Sequence, residues 1–236
     1  MPLVRVDDIN LYYEVRGEGS PLVLILGLGS DMSEYGSIID PLAEHFRVIA
    51  FDNRGAGRTD KPTSSYSINM MSEDVAGLIK KLGLKQTDVV GISMGGKIAL
   101  ALTLNHPDLV KNLVLACANS SSGKRVKMSL PMRLMYPLHF LPLLKGKYPQ
   151  PSYAFKLQRS ATLDFDVTQR LPEIKARTVI LHGRKDRSAP FERAEVLHKN
   201  IKGSKLVPFK GGHLFFAMGE RLEFIAAIQK FLSSSE

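Results

Sequence analysis

Three side chains stand in settings suited to nucleophilic acyl chemistry. Ser93 lies in Gly91-Ile92-Ser93-Met94-Gly95-Gly96. The apolar run Asp88-Val89-Val90 precedes it and the helical pattern Lys97 to Leu104 follows. Strand, G-x-S-x-G and helix together make the context of a nucleophile elbow. The turn must be so sharp that the residues two positions away carry no side chain, which Gly91 and Gly95 satisfy. Gly96 then lets the helix pack close behind. A serine hydroxyl is a weak nucleophile until a neighbouring base takes its proton, and that base needs a third group to orient it. His213, in Lys210-Gly211-Gly212-His213-Leu214, follows the last strand, and its two glycines let the backbone present an imidazole. Asp186, in Arg184-Lys185-Asp186-Arg187, leaves a buried strand directly and emerges at the same sheet edge. Two backbone N–H groups must also face the developing oxyanion. Met94, next to the serine, supplies one, and Leu28 in Gly27-Leu28-Gly29 is the candidate for the other.

The other histidines read as structural or surface groups: His45 and His198 in polar helical patterns, His106 before Pro107, His139 within an insertion, and His182 ending an apolar strand. Asp52 also follows a strand, but its Asp-x-Arg-Gly-x-Gly setting suggests turn-building hydrogen bonds. Cys117 lies in the apolar run Leu113 to Ala118 and reads as a buried structural thiol.

These residues need a scaffold that brings distant loops to one edge. Leu3–Val6 and Ile9–Val15 alternate around Asp7-Asp8 as a hairpin. Pro21–Leu26 is a continuous apolar run, as in a parallel strand covered on both faces. Met32–His45 is helical in pattern and Arg47–Phe51 is the next strand. A helix capped by Ser67 or Asn69 carries Met71, Val75, Leu78, Ile79 and Leu82 at helical spacing, with Gly83 at its C′ position. Strands follow near 112–118, 179–183 and 205–209, with helices at 191–200 and 220–232. Strands alternating with helices predict an α/β fold built on a mainly parallel, doubly wound sheet. The alternation breaks between Asn119 and Ile174. Residues 1–118 and 171–236 therefore read as one core domain, and 119–170 as a short helical cap insertion over the C-terminal edge of the sheet, with Met128–Leu144 as one or two helices.

Composition narrows the class. With 236 residues, 44% of them apolar, the chain can bury a sizeable core. One cysteine excludes an internal disulfide and suits a reducing compartment. The N-terminus lacks a signal-peptide pattern, so a cytoplasmic location is expected. The net charge of +9 is concentrated: nine basic residues and no acid lie between Leu109 and Leu163. This leaves 23 basic and 23 acidic residues elsewhere. Lys124, Arg125, Lys127 and Arg133, set beside Met128, Leu130, Met132, Leu134 and Met135, read either as a solvated face or as a patch steering anionic or amphipathic acyl substrates. Peripheral contact with anionic lipid is a third reading. No nucleic-acid motif accompanies the charge, so no nucleic-acid partner is expected.

With these pieces placed, the chain resembles the α/β-hydrolase superfamily over nearly its whole length, in particular its esterases, lactonases and C–C hydrolases. The matching stretches are Phe51-Asp52-Asn53-Arg54-Gly55-Ala56-Gly57-Arg58-Thr59, Gly91 to Gly96, Gly183-Arg184-Lys185-Asp186 and Gly211-Gly212-His213. The chain order Ser93, Asp186, His213 is the order of that fold. The chain departs from the family in having Leu26-Gly27 where His-Gly is usual. The insertion is also shorter than is common, which implies a more open acyl pocket. The resemblance implies a carboxylesterase: His213 deprotonates Ser93, Leu28 and Met94 hold the oxyanion, and Asp186 stabilises the imidazolium. A small-molecule acyl ester is the implied partner, and neither metal nor cofactor is implied. Lactonase, thioesterase and C–C hydrolase activity on the same three residues are alternatives. A ligand receptor that keeps the fold without turnover is the alternative from another class.

Overall fold

Among the described residues, eight strands form one sheet in the order β1-β2-β4-β3-β5-β6-β7-β8. The computed structural model describes residues 2–122 and 147–234. The cationic patch Lys124 to Arg133, His139 and the helices expected over Met128–Leu144 lie outside them. The hairpin β1 (Leu3–Val6) and β2 (Ile9–Arg16) is antiparallel, and β2 pairs antiparallel with β4 (Arg47–Phe51). From β4 onward every pairing is parallel, through β3 (Pro21–Ile25), β5 (Thr87–Ile92), β6 (Val110–Ala116), β7 (Arg177–Gly183) and β8 (Lys205–Phe209).

Continuous apolar strands are what a doubly covered sheet requires, and all six residues of β5 are buried. On one face lie α2 (Ile68–Lys81), α3 (Met94–Asn105) and α5 (Phe191–Asn200), which bury Val75, Ile79, Ile98, Leu102 and Leu197. On the other lie α1 (Gly36–Ala43) and α6 (Arg221–Ser233), burying Ile38, Leu42, Phe224 and Ile228. Ser67 caps α2, its Oγ accepting from the N–H of Met70, and Gly83 follows with φ +68°. The expected helix over Met32–His45 divides into a 3-10 turn at Met32–Glu34 and α1. Asp31 and Glu34 close a capping box over that turn. No helix among the described residues is long and apolar enough to cross a membrane.

The strand order reverses at β3, which has β4 on one side and β5 on the other. Loops leaving the C-terminal ends of β3 and β5 therefore diverge to opposite faces and open a crevice, the usual ligand position in open α/β sheets. The loop at Gly27 and the elbow at Ser93 both stand at this switch point.

A helix that the sequence reading did not anticipate, α4 (Ser152–Leu163), occupies the stretch before β7. Its buried residues are Ala154, Gln158 and Ala161. The spacing is helical, but the buried stripe is two alanines and a glutamine, without a large apolar side chain. The ends of the segment that leaves β6 and returns through α4 are tied together. Ser120 Oγ and Thr168 Oγ1 are 2.8 Å apart, and the N–H of Val167 donates to Ser120 O at 3.0 Å.

Lys97 of α3 completes this neck. Its side chain is buried, and Nζ donates to Ser122 Oγ and to Thr162 O, both at 2.7 Å. Burial, then repulsion by Arg193, partly offset by Asp166, brings its amine down from 10.5 to about 8. Between those two values the unfolded chain keeps a proton that the folded chain has released, so stability rises with pH across that window. In Lys97→Met that slope is expected to vanish. Melting curves from pH 7 to 10.5 check it: the wild-type minus variant Tm difference should climb above pH 8. A flat difference would show that the amine stays charged in the fold.

Candidate active site

The elbow forms because three glycines permit contacts that no side chain allows. A Cβ on Gly91 would stand 2.5 Å from Gly95 O, and one on Gly95 would stand 2.1 Å from Ile25 O. A Cβ on Gly96 would meet that of Ala118 at 2.3 Å. Strand β5 thus turns into α3 within one residue, and Ser93 takes φ +55° and ψ −113°. A non-glycine residue held there costs about 1–3 kcal/mol, a strain that marks functional turns. Its N–H is anchored to Ala116 O at 2.8 Å. The side chain is left at the mouth of the crevice, above the N-terminus of α3.

Ser93 Oγ lies 2.9 Å from His213 Nε2, and His213 Nδ1 lies 2.7 Å from Asp186 Oδ2. The carboxylate can only accept, so Nδ1 carries the proton and Nε2 presents its lone pair to the serine hydroxyl. All three residues that the sequence nominates for this chemistry meet in one hydrogen-bonded chain.

Each is held by backbone contacts of its own. Asp186 Oδ1 accepts from the N–H groups of Ser188 and Ala189, each at 2.8 Å. The N–H of Asp186 donates to Gly183 O, and that of Lys185 to Gly211 O, which joins the loop after β7 to the loop bearing His213. Glu220 secures the second loop, its carboxylate accepting from the N–H groups of Lys210 at 2.9 Å and Gly211 at 2.6 Å.

Burial alone would push the Asp186 carboxyl upward. Hydrogen bonds from His182 and His213, the charge of His213 and the Ala189 N–H outweigh it and hold the carboxyl well below the usual range. His182 fits its structural reading, since Nε2–H donates to Ala189 O at 2.7 Å. It also approaches Asp186 Oδ2 at 3.4 Å, so the carboxylate has an imidazole on two sides. Cys117, buried with φ +42°, lies close enough to feel the Asp186 charge. Burial first, and that charge second, push its thiol well up, so it is not a thiolate nucleophile at neutral pH.

The Gly27-Leu28-Gly29 loop lies beside the elbow: a Cβ on Gly27 would sit 3.7 Å from Ser93 Cβ. Leu28 packs partly buried against the core. Asn53 Nδ2 donates to Leu26 O at 3.0 Å and fixes the loop's entry. Across the crevice, Met94 opens α3, and its N–H is one of those a helix leaves without an internal partner. Asp52 builds the turn as its setting suggested. It accepts from the N–H groups of Met32 and Arg58, each at 2.8 Å. Arg54, fully buried, is gripped by Asp74 and Asp8.

The sequence reading missed Asn53 and Gln158. Asn53 had a signal, since it stands inside the Asp52–Thr59 stretch already singled out; Gln158 had none.

Comparison with known proteins agrees with this architecture. A family model described as alpha/beta hydrolase fold matches residues 20–159. The AB hydrolase superfamily protein YisY of Bacillus subtilis is 31% identical, over 94% of this chain and 95% of its own. Among solved structures, the esterase EaEST from Exiguobacterium antarcticum superposes with a TM-score of 0.87 at 30% identity, covering 98% of this chain and 99% of that one. An enol-lactonase from Burkholderia xenovorans shares the fold, with a TM-score of 0.84 at 24% identity over 99% and 100% of the two chains.

Proposed function

The chain belongs to the alpha/beta hydrolase fold family, and we propose that it is a serine hydrolase cleaving carboxylic esters of small molecules through an acyl-enzyme intermediate. The observation that carries this reading is the continuous hydrogen-bonded chain from Asp186 through His213 to Ser93, ending on a strained turn. His213 Nε2 takes the hydroxyl proton as Ser93 Oγ attacks the acyl carbonyl. Charge that develops on the carbonyl oxygen is met by the N–H groups of Leu28 and Met94. Asp186, ionised throughout, stabilises the imidazolium, which then protonates the departing alkoxide. Water activated by His213 attacks the acyl-enzyme and releases the acid. On this reading residues 1–118 and 171–236 form the catalytic core, and 119–170 form the cap over the acyl pocket.

The test is hydrolysis of p-nitrophenyl esters from acetate to palmitate, followed at early times, with fluorophosphonate labelling in parallel. A burst followed by steady turnover is the expected result, and the chain-length optimum sizes the acyl pocket. Labelled protein that turns over none of these esters would redirect the assignment to a lactone, a thioester or a C–C bond. Protein that neither labels nor turns over would be a ligand receptor on the same fold.

A further inference from the structure

The second half of the insertion is bound to the loops beside the crevice. Gln158 of α4 is wholly buried, and its amide is used at both ends. Its Oε1 accepts from the N–H of Gly29 at 3.1 Å, and its Nε2 donates to Arg54 O at 2.7 Å. Phe155, one helical turn earlier on the same face, meets that loop too: its ring stands 3.0 Å from where a Cβ on Gly29 would be. Gln150, just before the helix, donates from Nε2 to Gly55 O at 2.8 Å. One side of α4 is therefore seated on two loops, those that follow β3 and β4.

From this we infer that Gln158 is a positioning residue for the oxyanion site. The inference rests on the serine-hydrolase reading. Leu28 lies between two backbone groups held by side-chain amides: Leu26 O by Asn53 and Gly29 N–H by Gln158. A short loop pinned on both sides of one residue leaves its peptide little freedom to rotate. The Leu28 N–H then faces the crevice before substrate arrives, so no reorganisation is needed as charge develops. Asn53 comes from the core, whereas Gln158 comes from the insertion. Through α4 the insertion thus helps to build the catalytic apparatus.

The test uses Gln158→Leu and Gln158→Glu in the full chain. Leucine is close in volume and can make neither bond. It is expected to lower kcat on p-nitrophenyl acetate about 10- to 100-fold, with KM changed less than about twofold, as for small misplacements of catalytic groups. Affinity for an aryl trifluoromethyl ketone, which presents a tetrahedral oxyanion, should weaken in proportion to kcat/KM. A buried glutamic acid is neutral at low pH and can then make both bonds, whereas ionised it sets a negative charge beside the oxyanion loop. The ratio of Gln158→Glu to wild-type activity should therefore fall as pH rises from 5 to 9.

A lowered Tm with kcat and ketone affinity unchanged would overturn the inference and leave Gln158 as a packing bond. If the leucine variant does not fold, the glutamate profile decides, and a flat ratio overturns it. Ser93→Ala separates the two levels. Retained turnover there defeats the serine-hydrolase reading itself, whereas loss of turnover alongside a normal Gln158→Leu enzyme defeats only the role of Gln158.

Discussion

Replacing Ser93 by alanine is expected to abolish ester turnover and fluorophosphonate labelling while leaving the fold intact. The loss in kcat should approach about a millionfold, stopping at the residual catalysis of about a thousandfold over water that an oxyanion site supplies alone. Alanine occupies the same backbone conformation, φ +55° and ψ −113°, with nearly the same strain, so its Tm should stay near that of the wild type. Glycine separates chemistry from strain. Ser93→Gly removes the same hydroxyl but also the Cβ that makes this conformation costly. Part of that relief is offset by the greater freedom of glycine in the unfolded chain. The net expectation is a glycine variant as inactive as the alanine one but more stable by about 1 kcal/mol, or about 2–4 °C in Tm for a domain of this size. Thermal unfolding of the two variants side by side measures the strain stored at the elbow. Equal stability would mean that the stored strain only matches the entropic cost of glycine, about 0.4–1 kcal/mol, and lower stability that it is smaller still. Turnover surviving in Ser93→Ala would remove the acyl-enzyme mechanism.

The parts of this molecule that the sequence reveals are those where chemistry forces a residue type. The elbow is legible because a strand can turn into a helix within one residue only if Gly91 and Gly95 are bare of side chains. Asp186 and His213 are legible because each follows a buried strand of a parallel sheet, whose C-terminal edge must gather such loops. Lys97 reads in the sequence only as a helix residue, because a lysine code does not say whether the amine meets water or, as here, Ser122 and Thr162. Helix α4 escaped for a related reason. Its buried residues are Ala154, Gln158 and Ala161, so no row of large apolar side chains marks its inner face. Gln158 matters through two backbone groups, Gly29 N–H and Arg54 O, that lie more than a hundred residues away in sequence. A backbone partner leaves no mark on the sequence, and only the fold identifies it.

Asp186→Asn should be nearly as damaging as loss of the serine, although it changes one atom. The two backbone N–H groups of Ser188 and Ala189 both point at Oδ1. An asparagine must place its carbonyl oxygen there, which obliges its NH₂ to face His213 Nδ1. Two donors cannot share that contact, so the imidazole moves its proton to Nε2 and offers Ser93 a donor instead of a base. The wrong tautomer is expected to lower kcat about 10⁴-fold with KM little altered. Fluorophosphonate labelling of Ser93 should slow in parallel, because it needs the same proton transfer. A stability signature accompanies the kinetic one. The Asp186 carboxyl titrates well below its ordinary value of 3.8 in the fold. Its ionisation therefore stabilises the native state above that value, and the contribution disappears as pH falls through the depressed native value. The Tm gap between wild type and Asp186→Asn should accordingly be widest near neutral pH and narrow below about pH 4. A variant that keeps kcat within tenfold of the wild type would show that His213 is oriented without Asp186. A Tm gap that stays constant into acid would show that the carboxylate owes nothing to its two imidazole neighbours.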